Sequence, residues 1–179
     1  IGQNYRYDLW AESDDFIREV LDMEMSMLRD MGVNTIRLFN DIPPRWVTYI
    51  YENYGIYTAI NHLFGRYGFE IDGVFIGNTD YGDPAMVQAI LDDVRNTVEI
   101  YRDVPGVLMF LLGNENNYGL AWTSFEIEDV PEEVDDPRAD MLYRAWCQGA
   151  SVVSEADGNH PVAIVNGDTQ YLDLVARYC

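Results

Sequence analysis

The stretch Val107-Leu108-Met109-Phe110-Leu111-Leu112-Gly113-Asn114-Glu115-Asn116-Asn117-Tyr118-Gly119 decides how this chain is read. Six consecutive apolar residues run into a glycine and then into one carboxylate set among three amides. A short, unbroken apolar run that ends in turn residues fits a strand buried on both faces, as in a parallel sheet covered by helices. The polar group after Gly113 then stands where that strand leaves the core.

Outward from this strand the same alternation recurs. Gly32 to Phe39 (GVNTIRLF) reads as a buried strand that carries one cation, Arg37. Before it, Asp14 to Met31 is predicted helical, with Phe16, Val20, Met23, Met27 and Met31 at helical spacing and Ser13 or Asp14 as the cap. Pro43-Pro44 opens a second helix, with Trp46, Ile50, Tyr51 and Tyr54 on one face, and Gly55 stops it. Ile56 to Asn61 follows as a strand that ends at His62. Leu63 to Gly82 reads as a long loop, and Asp83-Pro84 begins a helix that reaches Tyr101.

Beyond Glu115 come an acidic loop through Asp136, a helix over about Pro137 to Ala156 and a strand over Pro161 to Val165. Thr169 to Cys179 reads as the start of another helix, and Ile1 to Tyr5 as the tail of a strand. The order is α/β, with apolar strands separated by helices, which implies parallel strands. Two architectures fit: an open doubly wound sheet and an eight-stranded (β/α) barrel. No glycine-rich phosphate loop follows the first strand, as a nucleotide-binding open sheet would favour. Polar residues instead gather where strands end, at Asn4, Asn40-Asp41, His62, Asn114-Glu115 and Asn166 to Asp168. In a barrel those ends share one face, the face that carries active sites.

Composition narrows the partners. Acidic residues number 31 against 11 basic ones, giving a net charge of −20, and every basic residue is arginine. Such a field disfavours nucleic acid and anionic membranes. Adaptation to high salt and a compositional bias of the genome both fit it. Cys147 and Cys179 match neither a metal spacing nor a disulfide framework and read as free thiols. The acidic segment from Glu126 to Asp136 lacks the regular ligand spacing of a calcium loop and reads as solvated.

GVNTIRLF, the strand ending in Asn61-His62 and, above all, the apolar strand ending in Gly113-Asn114-Glu115 together resemble the barrel domain of clan A glycoside hydrolases. The family 2 type, which includes the β-galactosidase and β-glucuronidase relatives, is the nearest in likeness. The resemblance implies a (β/α)8 TIM barrel present as about its first five β/α units. Residues 1–179 would then form one partial catalytic domain, truncated at both ends. A whole barrel takes about 250 residues.

The resemblance also implies roles. Glu115 would be the general acid/base of a retaining enzyme acting on β-linked glycosides, and Asn114 would meet the sugar 2-hydroxyl. Arg37 would orient the nucleophile carboxylate, and His62 would line the sugar site. The chemistry asks for such a pair, because the glycosidic oxygen must be protonated while a second carboxylate about 5 Å away attacks the anomeric carbon. In this clan that second carboxylate follows the seventh strand, which lies beyond these five, so the rest of the barrel would come from a longer chain or other copies. Trp46, Tyr67, Tyr118 and Trp122 are candidate platforms for sugar faces, and Asn166 and Asp168 candidate lining residues. No cofactor is implied, and the partner is a carbohydrate. A transglycosylase of the same clan uses the same carboxylates. A barrel-derived sugar-binding or assembly protein without the second carboxylate is the reading from outside enzymes.

Overall fold

The computed structural model describes residues 2–3, 8–39, 41–118, 137–169 and 171–179. In chain order the first elements are β1 (Gly2–Gln3), a 3-10 turn (Leu9–Ala11), α1 (Asp14–Asp30), β2 (Thr35–Leu38), α2 (Pro44–Tyr54) and β3 (Tyr57–His62). They are followed by β4 (Phe69–Ile71), β5 (Val74–Ile76), α3 (Pro84–Tyr101), β6 (Val107–Leu112), α4 (Pro137–Ala156), β7 (Val162–Ile164) and α5 (Leu172–Tyr178).

The large sheet has the order β1-β2-β3-β6-β7, and each neighbouring pair is parallel. Every strand thus lies beside the next sheet strand in sequence, with no reversal. A doubly wound sheet needs a reversal at its switch point, whereas an arc of a barrel does not. Helices also pack in sequence, α1 on α2, α3 on α4 and α4 on α5. One contiguous core joins Ile36, Leu38, Ile60, Phe110 and Leu112 of the sheet to Ile17, Ile50, Ile90 and Trp146 of the helices. The fold is therefore part of a (β/α) TIM barrel.

Local chemistry sets the helix ends. The Ser13 hydroxyl accepts the Phe16 N–H at 3.3 Å and starts α1, and the Asp83 carboxylate accepts the Ala85 N–H at 2.9 Å and starts α3. Gly55 closes α2 in the left-handed conformation with φ 68°.

Four sequence expectations change. The buried face of α1 is Ile17, Leu21, Met25 and Leu28, while Phe16, Met23, Met27 and Met31 are exposed. The predicted loop from Leu63 to Gly82 contains an antiparallel hairpin, β4 with β5, turned at Asp72-Gly73 where both φ angles are positive. α5 begins at Leu172 rather than Thr169. Cys147 and Cys179 are not free: they form a disulfide with Cα atoms 5.1 Å apart, because α5 folds back on α4 and brings together residues 32 apart in sequence. Asn4, Asn40, Trp122 and the acidic segment from Glu126 to Asp136 lie outside the described residues.

After α4 the chain is turned by Asp157, which is 5 % exposed. Its carboxylate accepts the Asn159 N–H at 2.8 Å and meets the His160 ring at 2.5 Å. Burial pushes this carboxyl up, but the Asn159 N–H and His160 outweigh it and hold it below the ordinary value. A folded-state value below the unfolded one stabilises the protein above about pH 4. That contribution disappears as the pH falls through the folded-state value. Asp157→Asn should therefore lower stability at neutral pH and flatten acid unfolding below about pH 4, read by circular dichroism; an unchanged acid profile would refute the role. Reduction of Cys147–Cys179 should lower the unfolding free energy by about 3.5 kcal/mol, seen as a lower urea midpoint with reductant and no such drop in a Cys147→Ser/Cys179→Ser protein.

Candidate active site

Arg37 lies within β2, and on that strand Ile36 and Leu38 take the face packed against the helices. Strand alternation gives Arg37 the opposite face. Burial pushes its guanidinium down from the ordinary value, while the Glu115 charge opposes that shift. A half-buried cation needs acceptors, and here they arrive from the next two strands. Nη2 donates to Oδ1 of Asn61 at 2.9 Å and to Oδ1 of Asn114 at 2.9 Å, and Nε donates to Asn61 Oδ1 at 3.2 Å. Asn61 is 6 % exposed, and its Nδ2 is buried without a partner among the described residues.

Asn114 is fixed on every side. Its Nδ2 donates to the Tyr67 hydroxyl at 2.9 Å, its carbonyl accepts from Arg66 Nε at 3.0 Å, and its own N–H donates to Asn116 Oδ1 at 2.7 Å. Asn116, 2 % exposed, in turn donates to the Phe64 carbonyl and the Tyr81 hydroxyl. Gly113, immediately before, has φ 84°, and a Cβ there would meet the Trp146 ring at 2.3 Å. The strand can turn at this point only with glycine.

Glu115 follows with φ 57° and is exposed. Its N–H donates to the Val165 carbonyl at 2.9 Å and its carbonyl accepts from the Tyr118 N–H at 3.0 Å. Asn117 and Gly167 exchange two hydrogen bonds, at 2.7 and 2.8 Å, which joins the loop after β6 to the loop after β7. A Cβ on Gly167 would strike the Tyr118 ring at 2.6 Å and Glu115 Cβ at 3.0 Å, so these three pack closely. Burial first, and then the charges of Asp168 and Glu115, push the Tyr118 phenol up. Asn166 accepts from the Tyr143 hydroxyl and donates to the Asp168 carbonyl at 3.2 Å, and Asp168 accepts the Thr169 N–H at 2.6 Å.

The sheet thus brings together Arg37, Asn114, Glu115, Tyr118, Asn166 and Asp168 from three strand ends. Of the other expected residues, His62 turns away from the Arg37 fork and Trp46 is enclosed in the core. His62 is on the opposite face of β3 from Asn61: its Nε2 meets Asp93 of α3 at 3.0 Å, and its Nδ1 accepts the Phe64 N–H at 3.1 Å. With that acceptor role Nε2 carries the proton, so both nitrogens are engaged. The His62 bond is the main cause that holds the Asp93 carboxyl below its ordinary value. Trp46 is 2 % exposed in the core, with the guanidinium of Arg18 on α1 5.9 Å from its ring centre, so it is no sugar platform. Trp122 lies outside the described residues.

Asn61, Arg66 and Asn116 are the members that the sequence reading did not single out. For Asn61 a signal existed, since it shares its face of β3 with Ala59, which registers with Arg37. A cleft of about 730 Å³ adjoins the cluster, with Trp10, Phe39, Asn61, His62, Phe64 and Asp93 among its walls, so His62 lines this cleft from the other face of β3.

No protein-family model matches the sequence, and a search of curated proteins finds no match. Solved structures do match in fold, and they are glycoside hydrolases. A β-glucuronidase of Parabacteroides merdae aligns with 99 % of this chain at TM-score 0.61 and 17 % identity. A β-galactosidase of the haloarchaeon Halorubrum lacusprofundi aligns with 99 % at TM-score 0.63 and 12 % identity. An endo-1,4-β-D-mannanase of Thermotoga petrophila aligns with 93 % at TM-score 0.59 and 16 % identity. The chain spans 18 %, 38 % and 55 % of those three chains, respectively.

The Arg37 fork gives a direct test. Arg37→Lys keeps the charge but offers a single ammonium to two amides on different strands. It should destabilise the protein by about 1–3 kcal/mol, measured by urea unfolding; an unchanged midpoint would mean that the fork does not hold the strand ends together.

Proposed function

We propose that this chain carries the acid/base half of a retaining β-glycosidase site, with Glu115 as the acid/base. The observation that carries this reading is the delivery of Asn114-Glu115 by β6 to the strand-end face of a barrel arc, with Asn114 held by Arg37. A glycosidic oxygen leaves only when protonated, and a retaining enzyme then returns the proton to itself from water in the second step. An exposed carboxylate at a strand tip, on a backbone pinned at its N–H and carbonyl, is suited to both transfers.

Asn114 keeps capacity for a sugar. One lone pair of Oδ1 is taken by Arg37 and one hydrogen of Nδ2 by Tyr67, leaving one acceptor and one donor position for a ring hydroxyl. Tyr118 and Asp168 line the side next to Glu115. The attacking carboxylate, about 5 Å from the acid in a retaining enzyme, would come from a later β/α unit of the same barrel. The substrate class is a β-linked glycoside. The names of the matched structures, glucuronidase, galactosidase and mannanase, support that class without choosing among its sugars.

In the full polypeptide, Glu115→Gln should cut turnover of alkyl or sugar leaving groups by about 10²–10⁴. Activated aryl glycosides, which need little protonation, should be far less affected in their bond cleavage. Equal loss on both substrates would sink the acid role. A wild-type protein that binds sugars but hydrolyses no β-glycoside would sink the enzyme reading itself.

A further inference from the structure

Asn61 belongs to two places at once. Its Oδ1 closes the Arg37 fork, and the same side chain walls the 730 Å³ cleft, which runs over the ends of β2 and β3 towards α3. A guanidinium only donates, so the amide must turn Oδ1 to Arg37 and carry both its hydrogens on Nδ2. That nitrogen is buried and meets no acceptor among the described residues. A buried donor left unmade is costly, and a ligand oxygen seated against Asn61 would satisfy it.

The walls define the kind of ligand. Asp93, Asn96, Thr97 and Ile100 recur at three- and four-residue steps and form one stripe of α3 along the cleft. His62 takes Oδ2 of Asp93 and leaves Oδ1 to accept from a ligand. Trp10, Phe39 and Phe69, all half-buried, add flat apolar area. Among the described residues no arginine lines the cleft, the chain has no lysine, and Asp41 and Asp93 give the walls a negative field. Arg37, next to it, already bonds two amides, and the Phe39 ring centre lies 4.3 Å from its guanidinium carbon. An anionic ligand is therefore opposed by two carboxylates and met by no available cation. Amide donors, carboxylate acceptors and flat rings without a cation suit an uncharged polyhydroxylated ring.

We propose that this cleft, on the α3 side of the Arg37 fork, binds an uncharged sugar unit linked to the one that reaches Asn114, and that it rejects a uronic acid. The substrate class is then a neutral oligosaccharide, not a simple or acidic glycoside. This rests on the catalytic reading above, because both units belong to one sugar chain. Asn61 and Asn114 hold the same guanidinium, so the two amides that would meet successive units are fixed relative to each other.

The test uses the full polypeptide carrying Glu115→Gln, to slow turnover, and calorimetry with cellotetraose and β-1,4-mannotetraose against the same chains oxidised at C6 to uronic acids. At least one neutral chain should bind about tenfold or more tighter than its oxidised counterpart. Thr97→Trp, which fills the cleft from α3 without touching the Arg37 fork, should weaken that binding by about tenfold. Asn96→Arg, at an exposed position of the same stripe, needs no repacking and should turn the preference towards the oxidised chain. Equal affinity for neutral and oxidised chains, no binding of either, or a preference that Asn96→Arg leaves unchanged would each overturn the proposal. Aryl-monoglycoside turnover by the protein with Glu115 intact separates the two readings. An active enzyme whose tetrasaccharide binding ignores both cleft variants removes this proposal alone. An inactive protein whose selective binding both variants change removes the catalytic reading alone.

Discussion

A guanidinium placed within a strand must be met by acceptors that arrive from elsewhere in the chain, and Arg37 is met by two neutral amides, one on β3 and one in the turn just after β6. Its bonds to Asn61 and Asn114 tie the ends of β2, β3 and β6 at the face where Glu115 emerges. The partners matter as much as the cation. Amides satisfy hydrogen-bond geometry without cancelling charge, so Arg37 remains a net cation, and the Glu115 charge favours its protonated form against burial. Had carboxylates stood at positions 61 and 114, the same fork would have been held more strongly but neutralised.

Backbone conformation does the rest of the positioning. Phe64 after β3, Glu115 after β6 and Asp168 after β7 all take positive φ without being glycine. Each such residue costs on the order of 1–3 kcal/mol unless its surroundings enforce it. Here the enforcement is visible. His62 accepts the Phe64 N–H, Val165 accepts the Glu115 N–H, and the Asp168 carboxylate accepts the next N–H along the chain. Three strands end in the same kind of strained turn, and each turn is stabilised by a hydrogen bond specific to it.

What could be read from the sequence followed from patterns that admit one interpretation. The apolar run from Val107 to Leu112 forms the expected strand, with Val107, Phe110 and Leu112 in the core but Leu108 exposed and Met109 and Leu111 half-buried, and the proline and glycine signals around α2 and α3 left little freedom. What failed were patterns with two equal solutions. On α1, Phe16-Val20-Met23-Met27 and Ile17-Leu21-Met25-Leu28 are both apolar at helical spacing, and periodicity cannot tell which of them meets the sheet. His62 and Asn61 are adjacent on β3, and a one-residue difference exchanges the faces of the sheet. The Cys147–Cys179 bond depends on how α5 returns to α4, which sequence separation does not encode. The hairpin at Asp72-Gly73 is a different case, because an Asp-Gly pair between two short apolar segments is itself a hairpin signal.

The reciprocal pair between Asn117 and Gly167 joins the described residues just after β6 to those just after β7. Asn117 is 1 % exposed, so neither bond can exchange its partner for water while the loops stay in place. Glu115 sits two residues from one end of this clasp and Asp168 one residue from the other. The separation of the backbones at these two residues is therefore governed by this clasp. In energy-landscape terms, opening either segment at this point requires both bonds of the clasp to break. On this side of the candidate site, then, a change in the spacing of Glu115 and Asp168 along the backbone costs two buried hydrogen bonds, not one.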